Sequence, residues 1–142
     1  MSALRHNMMK LFKNKRLHIV THDGRFHADE VCAFAMLQKL YETVQPHGST
    51  LISRTRNKDL INQGDVVIDV GQKYNPKKFL FDHHQELFKH TYQLANCDVP
   101  LSAFGLIYKH FGPDYIKHVY KDLIDYNSLA EKDKDDLLHS IY

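Results

Sequence analysis

The chain is poor in cysteine, has no long apolar run and carries almost no net charge. Cys32 and Cys97 are its only cysteines. They show neither CxxC nor zinc-finger spacing, which excludes a thiolate zinc site of those kinds, and two isolated thiols fit a reducing compartment. Cys32 falls inside a helical pattern, where it is expected to act as a small apolar residue. No stretch of about 18 apolar residues exists, so no membrane span is expected. A formal charge of +2 is too small to argue for nucleic-acid binding by itself. Repeats and low-complexity segments are also missing. The 142 residues are expected to form one domain, large enough to bury roughly 68–70% of its unfolded surface.

Histidine is what the chain has in excess, with 11 residues. Outside a metal site such residues change charge between about pH 5 and 8. Their placement is more telling than their number. The strand-like run 17–21 is followed by His22, His27 and Asp29. The run 65–68 ends on Asp69. The run 78–81 ends on Asp82, His83 and His84. Carboxylates and imidazoles at such positions are costly to bury unless they are paired, hydrogen-bonded or bound to metal.

The remaining pattern alternates strands and helices. Strands are expected over 17–21, 50–55, 66–70 and 79–81, and helices over 28–41, 57–62, 102–111, 113–126 and 131–142. The helix over 28–41 carries Asp29 and Glu30 in its first turn, where negative charge suits the macrodipole, and is apolar on most sides. Ser102 is the expected N-cap of the next long helix and Gly112 its C-cap. Segment 71–75 reads as a loop. Segment 85–100 is polar and irregular, a mobile loop over the site. This order predicts an α/β fold with a mainly parallel sheet flanked by helices. Ligands in such folds sit beyond the carboxyl ends of the strands, where the His and Asp positions fall.

Residues 1–16 are basic, with Arg5, Lys10, Lys13, Lys15 and Arg16, and read as a lead-in to the domain over 17–142. A mitochondrial presequence has a similar balance, but the segment is poor in serine and has a single early arginine. An intracellular protein is expected. The last helix ends on Leu137, Leu138, Ile141 and Tyr142 with no polar tail, which points to a fragment of a longer protein or to docking on another chain.

Histidine nitrogen and carboxylate oxygen together suit Mn²⁺, Zn²⁺ or Fe²⁺. Few thiols and many carboxylates argue against a structural zinc site. Two ions about 3.5–4 Å apart can clamp the attacking and leaving oxygens of a phosphoryl displacement. Asp69 is the natural bridging carboxylate. His22 and His27 would hold one ion, and Asp29 and His83 the other. Asp82 or His84 would orient a ligand or stabilise the transition state. Each residue alone has a plainer role: a loop histidine, a first-turn acid, a turn cap. Together on three strand ends they favour a metal site. Arg54 and Arg56 either bind phosphate bidentately or form a solvated strand end. His18, His47, His90, His110, His118 and His139 read as structural or surface residues.

Several motifs carry a resemblance to a known family. They are THDGRFHADE at 21–30, RTR at 54–56, VIDVG at 67–71, FDHHQ at 81–85 and LSAFGLIYKHFG at 101–112. In this order the chain resembles the melanocyte-proliferating-gene (Myg) family of metal-dependent hydrolases, related to the DHH phosphoesterases. The resemblance implies a DHH-type N-terminal domain binding two divalent ions, Mn²⁺ or Mg²⁺. It implies phosphodiester hydrolysis with 3′–5′ RNA exonuclease chemistry on RNA or a short nucleotide. By motif, His22, His27 and Asp69 would hold one metal and Asp29, Asp69 and His83 the other, with His84 on the phosphate. DHH enzymes commonly have Asp where this chain has His27, which follows the Myg pattern. Family members are much longer, with a fourth motif that supplies a further metal-binding aspartate. Asp125 is the nearest match, but its spacing is early. The chain is therefore expected to be the N-terminal part of such an enzyme, without its second domain and with an incomplete second metal site. The alternative is a catalytically incomplete metal-binding or interaction module that associates through the C-terminal helix.

Overall fold

The computed structural model describes residues 8–92 and 98–141. Arg5, Cys97, Tyr142 and the side chain of Ile141, all named above, lie outside the described residues. Element order is β1 (Arg16–Thr21), α1 (Ala28–Val44), β2 (Ser49–Arg54), α2 (Lys58–Ile61), β3 (Val66–Ile68), β4 (Tyr74–Asn75), β5 (Leu80–Phe81), α3 (Ala103–Val119) and α4 (Glu131–Ile141). Among the described residues the strands form one five-stranded sheet in the order β2-β1-β3-β5-β4. β1 pairs in parallel with β2 and β3, and β3 with β5; only β4 runs antiparallel, along β5. The mainly parallel α/β architecture expected from the sequence is the one observed.

The period of two along a strand divides the apolar residues between two faces. Leu17, Ile19, Val66, Ile68 and Phe81 meet α1 and α3 in the larger core. Val20, Val67 and Val70 pack with Ile61 of α2 on the other face. α1 buries Ala33, Met36, Leu37, Leu40 and Tyr41, a stripe at i, i+3, i+4, i+7 and i+8. It is thus one-sided rather than apolar on most sides. Val31 is exposed, and Cys32 lies on the solvent face as an exposed free thiol rather than a buried apolar residue. The segment read as a basic lead-in contributes Met8 and Phe12 to the core. Phe12 packs edge-on against Tyr41, whose hydroxyl donates to the Asn14 carbonyl.

Three expectations are corrected. The strand expected over 66–70 stops at Ile68, because Asp69 turns into the left-handed region with φ 55°. The loop expected over 71–75 contains β4. Two residues are too few for periodicity to reveal, and the strand exists because Pro76–Lys78 forms a 3₁₀ turn closed by Phe79 at φ 56°, which folds the chain back on β5. The helix break expected at Gly112–Pro113 does not occur. α3 runs unbroken from Ala103 to Val119, so no separate helix spans 113–126. Its buried stripe of Leu106, Ile107, Phe111 and Asp114 continues past the proline, and tertiary packing outweighs the hydrogen bond that Pro113 cannot donate. Gly112 keeps a negative φ. A Cβ there would stand 3.3 Å from the Tyr108 ring, so its smallness serves packing rather than capping. Ser102 does cap this helix, accepting from Gly105 N.

The C-terminal helix docks on the same core. Leu138 is buried and Leu137 packs beside it, while Tyr108 Oη donates to the Leu138 carbonyl. Leu137 and Leu138 thus face this core. His18 and His110 are structural, as read. His18 Nε2 lies 2.8 Å from Ser53 Oγ. His110 Nε2 lies 2.6 Å from Tyr74 Oη, and burial pushes His110 down to about 4.

Candidate metal centre

The carboxyl ends of β1, β3 and β5 bring His22, Asp69 and the Asp82–His84 run to one edge of the sheet. His22 follows β1 and is buried. Its Nδ1 accepts from Gly24 N at 3.1 Å, so the neutral ring carries its proton on Nε2. That nitrogen lies 3.1 Å from Glu30 Oε1 and 3.5 Å from Asp69 Oδ2. His27 is the N-cap of α1. Glu30 reaches back to accept from His27 N at 2.6 Å, half of the capping-box arrangement. His27 Nδ1 lies 3.8 Å from Asp69 Oδ2.

Asp69 is at the centre and only 3% exposed. Its Oδ1 lies 3.4 Å from both His83 Nδ1 and His84 Nδ1. Burial first, then the charges of Asp29 and Asp82, push the Asp69 carboxyl up to about 6, against the pull of His84 and His22. Desolvation and then the neighbouring His84 lower His83. Its hydrogen bond to Asp82 raises His84.

Among the described residues, metal-ligand atoms converge in two groups: His22, His27, Glu30 and Asp69, and then Asp69, Asp82, His83 and His84. Asp69 belongs to both. Among the described residues, the buried side-chain atoms without a hydrogen bond are Thr21 Oγ1, Thr50 Oγ1, His22 Nε2, Glu30 Oε2, His83 Nδ1 and both Asp69 oxygens. Apart from the threonine hydroxyls, every one belongs to this cluster. Leaving a buried polar atom unmade costs about 1–3 kcal/mol, more if it is charged. The donor set, imidazole nitrogen with carboxylate oxygen, fits a divalent cation.

Asp82 differs from Asp69. It is buried, but its oxygens accept from Gln72 N at 2.6 Å, His84 N at 3.0 Å and His84 Nδ1 at 2.7 Å. Its capacity is largely used in holding the His84 ring. Asp82→Asn removes the charge that holds the His84 proton, so the His84 pKa is expected to fall. If His84 acts as an imidazolium, activity is lost above that pKa, and the falling limb of the pH profile moves to lower pH. A loss of about 10–100-fold is expected, the usual cost of losing an orienting partner. An unmoved limb together with an unmoved His84 titration by NMR would contradict this role.

The structure does not bring all the predicted residues equally close. Asp29 Oδ2 stands 4.0 Å from His83 Nδ1, belongs to neither group, and accepts from Ala103 N at the start of α3. Arg54 donates to the Gly24 carbonyl and lies over the Phe26 ring, 3.9 Å from its centroid. It braces the β1–α1 loop. Arg56 pairs with Asp23 and lines a cleft of about 730 Å³ that also contains His22, His27, Asp69, Asp82 and His84. Asp125, the nearest sequence match to a fourth metal motif, belongs to neither group. Glu30 is the residue the sequence reading left as a first-turn acid; it is 2% exposed. An acid three residues after an N-cap on the loop that carries His22 and His27 was the available signal.

Fold and site together define an α/β protein whose sheet gathers a carboxylate–imidazole cluster at its carboxyl edge. The chain belongs to the family described as Uncharacterised protein family (UPF0160), whose model, MYG1_exonuc, matches residues 18–142. A MYG1 protein of Dictyostelium discoideum is 46% identical over 101 residues, covering 71% of this chain and 29% of that protein. The MYG1 protein C694.04c of Schizosaccharomyces pombe is 37% identical over 129 residues, covering 91% of this chain and 37% of that protein. A protein of Mus musculus named MYG1 exonuclease is 34% identical over 128 residues, covering 87% of this chain and 30% of that protein. The chain thus spans between 29% and 37% of the length of these relatives. No solved structure matches the chain.

Proposed function

We propose that this chain carries the metal-binding, DHH-type part of a Myg-type phosphoesterase with 3′–5′ exonuclease action on RNA. The observation that carries the proposal is the cluster of buried, unpartnered ligand atoms shared through Asp69. The exonuclease name borne by the mouse relative supports the choice of reaction.

His22, His27, Glu30 and Asp69 would hold one ion. Asp69 and His83 would hold a second, with Asp29 at its margin. A divalent ion there would supply Lewis-acid polarisation of a phosphoryl oxygen. His84 lines the cleft, and its bond to Asp82 keeps it charged to higher pH, so it can offer positive charge to a phosphate oxygen. The buried floor of the site limits water around these groups and strengthens their electrostatics. His22 offers Nε2 as a ligand only when its proton moves to Nδ1. With that proton on Nδ1, the ring would no longer accept from Gly24 N.

The test is Mn²⁺ uptake by calorimetry with nucleotide release from single-stranded RNA. Uptake and Mn²⁺-dependent release are expected, and His83→Ala is expected to abolish release and the uptake of the second ion while the first is still taken up. Hydrolysis that is indifferent to chelator and to His83→Ala would overturn the proposal. Uptake without turnover would favour a second reading, a metal-binding module that needs groups from elsewhere. The chain's short span of its relatives is the observation that favours it.

A further inference from the structure

The cleft gathers more positive charge than the acid–imidazole cluster requires. Arg56, Lys58 and Lys73 all line it. Arg56 and Lys58 flank Asn57, which caps α2 by accepting from Asp59 N and Leu60 N. Lys73 follows a turn made by Gln72 at φ 53° and Gly71 at φ 93°, and its carbonyl accepts from Asp82 N. The short α2 and this turn thus place cations beside the cluster. Arg56 is paired with Asp23. Neither Lys58 nor Lys73 has a side-chain ion pair or hydrogen bond among the described residues.

The apolar residues in the cleft wall, Ile61, Val67 and Val70, are buried in the smaller core with Leu80 half-buried against them, so the cations are its accessible feature beside the cluster. A single phosphate on the Asp69 cluster would leave the lysines unused. A strand would use them, with its next phosphate on the cations. The near-neutral net charge of +2 conceals this local concentration.

We infer that Lys58 and Lys73 form a second phosphate subsite, which binds the nucleotide adjoining the one held at the Asp69 cluster and selects a polynucleotide single strand over a mononucleotide. The inference rests on the phosphoesterase reading for the position of the first phosphate. Both lysines are exposed, so Lys58→Gln with Lys73→Gln leaves the core untouched.

The experiment follows a fluorescein-labelled oligouridylate by anisotropy across a salt series, with Ca²⁺ in place of Mn²⁺ so that the ion site is filled while the strand stays intact. Single strands lose about 0.7 in the slope of log K against log salt for each phosphate contact. The double variant, which loses this one phosphate contact, is therefore expected to have a slope shallower by about 0.7 and weaker binding. Removing the same charge elsewhere, by Lys121→Gln with Lys132→Gln, is expected to leave the slope unchanged. Uridine monophosphate is expected to bind wild type and the Lys58/Lys73 variant alike.

An unchanged slope in the Lys58/Lys73 variant, an equal drop in the Lys121/Lys132 control, or wild type that does not bind the strand would each overturn the subsite. If Mn²⁺ uptake and hydrolysis persist beside an unchanged slope, the subsite fails and the phosphoesterase reading stands. If the slope falls as expected but uptake and hydrolysis are absent, the subsite stands and that reading fails.

Discussion

Asp69→Asn is expected to cost roughly a thousandfold in metal-dependent hydrolysis, equivalent to several kcal/mol of charge stabilisation, and to stabilise the metal-free fold. The two effects share a cause. Asp69 belongs to both ligand groups, so losing its charge weakens both. Without metal that charge is a burden, because burial and the charges of Asp29 and Asp82 raise the carboxyl from 3.8 to about 6. A carboxyl raised on folding binds its proton more tightly in the folded state. The cost is therefore absent below about pH 4, grows as pH rises through the window from 3.8 to about 6, and is complete at pH 7. Its size is at most on the order of 3 kcal/mol. In chelator the asparagine variant should withstand more denaturant than wild type at pH 7, with the difference shrinking towards pH 4. Equal stability at pH 7, or undiminished Mn²⁺ uptake, would contradict the role given to Asp69.

Phe81→Ala is expected to cost about 3–5 kcal/mol, a large share of the 5–15 kcal/mol available to a domain. The ring is fully buried on β5, with Phe111 at 5.6 Å, His110 at 5.7 Å and Tyr74 at 6.4 Å between centroids. It joins the sheet to α3 and to the edge strand β4, and it immediately precedes Asp82. The variant should therefore lose the orientation of His84 as well as stability. Urea unfolding gives the first quantity and the His84 titration the second. A cost below about 1 kcal/mol would mean that the surrounding rings can close the cavity.

The sequence displayed the strand ends well. His22, Asp69 and Asp82–His84 each follow an apolar run, and the parallel pairing of β1, β3 and β5 puts these strand ends at one edge of the sheet. Features that depend on backbone exceptions or on distant packing were not legible. Nothing in Val67–Gly71 distinguishes an extended Asp69 from one at positive φ. Gly112–Pro113 carries the usual signal for a helix end, and it is overruled by a buried stripe visible only once α1 and the sheet are in place. Glu30 looks like any acid favoured by a helix N-terminus until the fold encloses it. Lys58 and Lys73 are separated by 15 positions, and only the turn through Gly71 and Gln72 brings them to one cleft.

The left-handed backbone at Asp69 also decides how this site can be probed and how it can drift. Asn and Asp enter that region more readily than other side chains, so Asn alters the charge while leaving the turn intact. Alanine would add strain of about 1–3 kcal/mol to the chemical loss, and a β-branched residue would add more. A routine alanine scan would thus record two losses as one at this position. By the same restriction, inherited change at residue 69 has few routes open: the turn tolerates asparagine and glycine, neither of which keeps the negative charge.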